Sequence, residues 1–325
     1  MRYKMKNETL TAEIESFGAE LKSIKSNATG VEYMWYGKPE YYKRTSPILF
    51  PFVGSLKNQE YTYEGKKYPM TQHGFARDME FKVTEQKEDE LWFLLVSDDS
   101  TLEKYPFSFE LHIGYRLVGN ALKVTWKVVN TNEKEMHFSI GAHSEFNCPL
   151  QDESDKTGYG LDFHTGHEVL ASRINADGLM LDGKQKIAED AGKMLFPEGF
   201  FDDGVYIVEN SQTNRVSLLD PKGREYVTVS SDAPLYGIWS PEKKNAPFVA
   251  IEPWYGRCDR ATFAGTLEER EWGNHLMPHE TFERSQNRGS DKKSRVRCLM
   301  WQRAALLSLP HVLFAVHRAG QRNSR

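Results

Sequence analysis

Cysteine is scarce in this chain: Cys148, Cys258 and Cys298 are the only three in 325 residues. They are widely spaced and odd in number, and they form no Cys-x-x-Cys pair. Neither a disulfide framework nor a zinc-ribbon spacing is therefore encoded. Helical periodicity of useful length is missing before about residue 285, which excludes a helical bundle. The start, Met1-Arg-Tyr-Lys-Met-Lys-Asn-Glu8, lacks the apolar stretch of a signal peptide. The longest apolar run, near Ala304–Val316, contains Pro310 and falls short of the roughly 20 residues of a membrane span. These absences point to a cytoplasmic protein that does not enter a membrane. A general basic excess is missing too. The net charge is −4, yet Ser285–Arg325 holds nine Lys/Arg against the single acid Asp291, which leaves −12 on the rest. An acidic body argues against a nucleic-acid partner.

What the chain has in plenty is aromatic residues, with Tyr 15, Phe 18 and Trp 7. These favour strands. Phe107, Phe109, Leu111, Ile113, Tyr115 and Leu117 share one parity, with Ser108, Glu110, His112 and Arg116 on the other. A turn at Gly119-Asn120 leads into Leu122, Val124, Trp126 and Val128, which predicts a long antiparallel hairpin with one buried face. Leu10–Ser16 with Phe17–Ile24, and Tyr61–Tyr68 about Glu64-Gly65, read as further hairpins. Strands are expected at Leu91–Val96, Val205–Val208, Val216–Leu219, Tyr226–Val229 and Phe248–Ile251. Many short strands joined by Gly/Pro turns mean a sandwich or barrel. Residues 1–284 read as one domain. After Arg284 the composition turns polar and basic, so 285–325 reads as a tail that is disordered or atypical.

Five stretches carry residues suited to chemistry. Pro247–Asp259 begins as an apolar strand, delivers Glu252 to the strand's expected end at Pro253, and continues with Trp254, Tyr255 and Arg257. A carboxylate beside aromatic rings and a guanidinium is a common way to hold a sugar. Arg44 stands at the entrance of an apolar strand in Arg44-Thr-Ser-Pro-Ile-Leu-Phe-Pro-Phe-Val-Gly54. Thr71-Gln-His-Gly-Phe-Ala-Arg-Asp78 sets His73 beside Gly74, a pairing suited to a tight turn, and carries Arg77. Ile140-Gly-Ala-His-Ser-Glu-Phe-Asn-Cys-Pro149 places His143 after a strand. Phe200-Phe-Asp-Asp-Gly-Val-Tyr206 carries Asp202 and Asp203. Each has a bland alternative: a hydrogen-bonded structural histidine, a surface ion pair, a turn-forming aspartate. His73 and His143 have no third ligand at a recognisable spacing, so no metal is expected.

Taken in order, these segments resemble the aldose 1-epimerase (galactose mutarotase) family, and its lactose-operon X-type subgroup in particular. The matching pieces are Phe17-Gly-Ala-Glu-Leu21, Arg44-x-x-Pro-Ile-Leu-Phe-Pro51, His73-Gly-Phe-Ala-Arg77, Gly141-Ala-His-x-x-Phe-Asn147, Gly237-Ile-Trp-Ser240 and Glu252-Pro-Trp-Tyr-Gly-Arg257. The resemblance implies an all-β, galactose-mutarotase-like supersandwich of antiparallel sheets and a cofactor-free interconversion of the α and β anomers of a hexose or hexose phosphate. It further implies Glu252 as general base and His143, as imidazolium, as general acid, on opposite sides of the sugar. His73 would bind near the ring oxygen, and Arg44 and Asp203 would hold hydroxyls. Arg77 would do likewise or face a 6-phosphate, and Trp254 would stack on the sugar.

Two departures stand out. The family usually places proline after the acid histidine, whereas Ser144-Glu145 follow His143 here, and a Glu145 charge is expected to raise the His143 pKa. The family also usually ends in a further strand, which the basic tail replaces. A non-catalytic sugar-binding or sugar-sensing protein is the alternative on the same fold, and glycoside hydrolysis would need a suitably spaced second carboxylate such as Asp203 or Glu145. A monomer and a homodimer fit equally well.

Overall fold

Alternating apolar and polar residues become paired strands throughout the computed structural model, which describes residues 1–150, 155–189, 191–289 and 297–298. Among the described residues the strands form one ten-stranded and one eight-stranded sheet, with smaller sheets of three, two and two strands. The long hairpin forms as its parity predicts: Phe109–Val118 pairs antiparallel with Ala121–Asn130, and Phe109, Leu111, Ile113, Leu122, Trp126 and Val128 are all buried. Burying each such side chain stabilises the fold by about 1.5–3 kcal/mol. Leu10–Glu15 pairs with Glu20–Ser26, and Glu60–Tyr63 with Lys66–Pro69, also as expected.

The two large sheets meet across an aromatic core. Trp126 of the ten-stranded sheet stands edge-on to Tyr255 of the eight-stranded sheet, with ring centroids 6.2 Å apart, and Phe282 meets Tyr255 at 5.3 Å. This is the antiparallel sandwich architecture that the resemblance implied.

Two expectations are corrected here. Pro253 does not end its strand, which runs as Phe248–Tyr255 and pairs Tyr236 with Pro253 and Leu235 with Trp254. The proline interrupts pairing on the other side instead. Ile140–Ala142 pairs with Trp254 and Tyr255, Ser144–Asn147 pairs with residues 248–251, and the ladder is open between them. A residue without an N–H removes a rung, but the strand continues where its other neighbour holds it.

The expected boundary at Arg284 also falls inside a strand. Thr281–Gly289 lies between Glu225–Ser230 and Ala121–Asn130, and pairs with both. Ladder bonds are made by main-chain groups, so a polar sequence can extend a sheet when an edge is waiting for it. The expected disorder of the remaining tail, 290–296 and 299–325, lies outside the described residues. No helix among the described residues is long and apolar enough to cross a membrane.

Candidate active site

The register of the interrupted ladder brings the two expected acid–base residues together. Gly141 pairs with Trp254 and Ser144 with Ile251, so His143 faces Glu252 across the gap opened beside Pro253. His143 Nε2 lies 3.4 Å from Glu252 Oε2. The two residues are immediate cross-strand neighbours, not groups on opposite sides of a space, because adjacent antiparallel strands carry them.

Strand alternation decides what else faces the cavity. Glu252 and Trp254 share a face and line it, whereas Tyr255 turns into the core and bonds Asp232 through its hydroxyl. Trp254 lies against two glycines. A Cβ on Gly237 would come within 2.6 Å of its ring, and one on Gly141 within 2.7 Å. Arg257, expected beside the carboxylate, is buried elsewhere and paired with Glu209 and Glu271.

The cavity has a volume of about 440 Å³, within the range of small-molecule sites. His73, Arg44, Arg77, His143, Glu252 and Trp254 all line it. Asp203 does not. The 198–203 turn leaves it exposed, and the carboxylate that reaches the cavity wall nearby is Glu242, packed against Gly204.

His73 owes its position to two consecutive residues of positive φ, 68° at His73 and 71° at Gly74. A side chain at 74 would meet the Phe50 carbonyl oxygen at 2.3 Å, so glycine is required. The Gly54 N–H donates to His73 Nδ1 at 3.1 Å, which leaves the ring proton on Nε2. Burial, with His143, Arg77 and Arg44 nearby, keeps His73 neutral by driving its pKa well below the usual histidine value. It is thus set up as a hydrogen-bond donor.

The Arg44 segment hangs from Glu20, whose Oε1 accepts from the N–H groups of Thr45 (2.6 Å) and Ser46 (3.1 Å). Arg44 itself donates to Asp78 Oδ1 at 2.6 Å and to the Arg77 carbonyl at 3.2 Å. Arg77 Nη2 donates to the Gln72 carbonyl at 2.7 Å, while its buried Nε makes no hydrogen bond.

Sequence reasoning missed the rings that hold His143. Tyr42 stacks on it at 5.3 Å and 18°, and Trp239 stands edge-on at 5.2 Å and 79°. Trp35 anchors Tyr42 by donating its indole N–H to the Tyr42 carbonyl at 2.8 Å. Trp239 lay within the matched Gly237–Ser240 segment; Tyr42 carried no motif that could have marked it.

The electrostatics overturn one expectation. His143 is not raised by Glu145. Its pKa is lowered to about 3, first by burial and then by Arg77 and Arg44. Glu145 is itself fully buried and pushed well above the usual carboxylate value, by burial and by the charges of Glu252 and Glu20. Glu252 is likewise raised by burial, with Trp254 drawing the other way.

Away from the cavity, Asp162, His164 and Glu225 offer ligand atoms within 4.8 Å of one another. Lys193 and Arg215 already meet their charges, at 3.3 Å and 3.1 Å.

Comparison with known proteins agrees with this fold. A family model described as aldose 1-epimerase matches residues 1–285. Protein LacX of Lactococcus lactis subsp. lactis is 30% identical over 294 residues, spanning 88% of this chain and 98% of the relative. A solved galactose mutarotase related enzyme from Lactobacillus acidophilus superposes with a TM-score of 0.84 at 33% identity, covering 95% of this chain and 100% of that one. A galactose mutarotase-like protein from Lactobacillus casei gives 0.84 at 29%, over 92% and 100%.

Proposed function

This chain belongs to the aldose 1-epimerase family, and from that premise we propose that it interconverts the α and β anomers of a hexose or hexose phosphate. The observation that carries the reading is the His143–Glu252 pair, 3.4 Å apart at the wall of a sugar-sized cavity. Ring opening removes a proton from the C1 hydroxyl and delivers one to the ring oxygen. Both oxygens are bonded to the same carbon, so a base and an acid that are neighbours suit the reaction. Glu252 takes the hydroxyl proton and His143 Nε2–H protonates the ring oxygen; after rotation at C1 the reverse transfers close the other anomer. The reaction needs no electron transfer and no group transfer, so side chains alone account for its proton movements.

His73 Nε2–H, Arg44 and Arg77 supply donors for the sugar, and Trp254 presents an apolar ring for its face. Arg77, Arg44 and Lys43 all line the cavity and give it a cationic side. That side fits sugar hydroxyls or a phosphate.

Anomer exchange measured by NMR on galactose, glucose and their 6-phosphates tests the reading and ranks the substrates. Accelerated exchange on at least one sugar supports it. If the phosphorylated sugar is the substrate, Arg77→Met should raise its KM about tenfold or more, and by a clearly larger factor than it raises KM for the free sugar. Exchange at the uncatalysed rate for all four sugars contradicts the reading.

A further inference from the structure

An acid histidine at this position faces a physical difficulty. His143 is enclosed by Tyr42, Trp239, His73 and Glu252, with the cations Arg44 and Arg77 nearby. Such an enclosure disfavours an imidazolium, so a ring that had to be charged before donating its proton would hardly ever be ready. The residue that answers this lies two positions along the strand, where alternation brings it back to the same face. Glu145 Oε1 is bonded to His143 Nδ1. Its side chain has no exposure, and its Oε2 is buried without a hydrogen bond.

The backbone at Glu145 is fixed on both sides. Its N–H donates to the Thr45 carbonyl at 3.0 Å, and its carbonyl accepts from the Trp35 N–H at 3.0 Å. The other ionisable groups acting on this carboxyl are Glu252 on the neighbouring strand, and Glu20 and Lys22 on the Glu20–Ser26 strand. Two of these three are acids, so the surroundings favour a carboxyl that keeps its proton.

On the epimerase reading above, we propose that Glu145 is a positioning residue that holds the His143 proton on Nε2 and replaces it through Nδ1 as it is spent. In the resting site the Glu145 carboxyl donates to Nδ1, and the ring's own hydrogen is on Nε2, facing Glu252 and the cavity. When the sugar ring opens, the Nε2–H bond breaks and a ring-oxygen O–H bond forms. At the same time the Oε1–H bond of Glu145 breaks and Nδ1–H forms. The imidazole is neutral before and after, and Glu145 is left as the carboxylate. Glu252, having taken the C1 hydroxyl proton, is left protonated, so the three groups carry the same total charge throughout. Ring closure reverses each transfer. The two carboxyls thus exchange the charged role, with a neutral imidazole between them.

The test uses the full-length protein, with Glu145→Gln and Glu145→Ala and the sugar that exchanges fastest. Gln fills the same volume and can donate an amide N–H to Nδ1, but it cannot surrender that proton. Expected for Glu145→Gln is a fall in kcat of about 10²-fold, at the lower end of what positioned proton transfer contributes, with KM little changed. The alkaline limb of its pH–rate profile should move as well. ¹⁵N NMR of the imidazole should show Nε2–H with Nδ1 accepting in wild type and Glu145→Gln, and mixed tautomers in Glu145→Ala. Glu145→Gln with wild-type kcat and pH profile would overturn the proposal. If wild type turns over no sugar, the epimerase reading fails and the tautomer decides separately. A ring fixed in wild type and released in Glu145→Ala upholds the positioning role, and a tautomer unchanged in Glu145→Ala overturns it.

Discussion

Glu252 is buried, and a buried carboxylate resists ionising. Because its folded pKa lies above its unfolded one, it contributes stability that is fully present below the ordinary glutamate value. That contribution is lost as pH rises through the folded value. Glu252→Gln cannot ionise, so thermal melting should find it close to wild type near pH 4 and a few degrees more stable at pH 8, where about 1 kcal/mol corresponds to 2–4 °C or so. A gap that shrinks with rising pH would contradict this. His143 behaves oppositely. Its pKa falls from 6.5 to about 3, so its share of stability is present above the ordinary histidine value and lost as pH falls toward 3. At this scale much of the site was legible in sequence. Glu252, His143, His73, Arg44, Arg77 and Trp254 carry motif residues and do converge. Asp203 did not join them, because an Asp-Asp-Gly turn reads the same whether it points inward or to solvent. The sign of the Glu145 effect was illegible too, since sequence shows a neighbouring acid but not the enclosure that raises its pKa.

Strand alternation explains why the site's chemistry sits on one face, and glycine explains why it fits. Trp254 occupies space that side chains at Gly141 and Gly237 would fill. Gly237→Ala should push the indole out of place and destabilise the fold by about 1–3 kcal/mol, the usual cost of overpacking. Denaturant titration reads that loss, and sugar affinity should fall with it. An unchanged midpoint and affinity would mean that the ring relocates freely. The Phe248–Tyr255 strand also shows where sequence rules reach their limit. Proline's missing donor is visible in any sequence. Whether it ends a strand or only opens one side depends on the neighbour across the other edge, here Leu235–Trp239. The open side is where His143 meets Glu252, so the same proline that misled the strand boundary marks the gap in which the two side chains meet.

At the scale of the molecule, the last described long strand joins what precedes it. Thr281–Gly289 fills the space between Glu225–Ser230 and Ala121–Asn130, elements far apart in the chain. A chain ending at Arg284 would leave Leu122–Thr125 without their partners and expose a sheet edge. Size-exclusion chromatography should find that chain aggregated or poorly folded, and a chain ending at Cys298 monodisperse; equal behaviour of the two would contradict the strand's bridging role. The hairpins were readable because their pattern is local. This closing strand was not, because Ser285-Gln-Asn-Arg288 has no apolar alternation and takes its place through main-chain pairing with residues far away in the chain.

The central claim is that Glu252 and His143, side by side on adjacent strands, transfer protons to and from a sugar held against them. Polarimetry of freshly dissolved α-D-galactose and α-D-glucose, followed to anomeric equilibrium with wild type, Glu252→Gln and His143→Asn, tests it most directly. The account requires wild type to speed the approach to equilibrium, and each variant to lose at least about 10²-fold of that acceleration while calorimetry still shows sugar binding. Sugar binding by a wild type that leaves the rotation changing at its uncatalysed rate would contradict it, and would make the cavity a place where sugar is held and not converted.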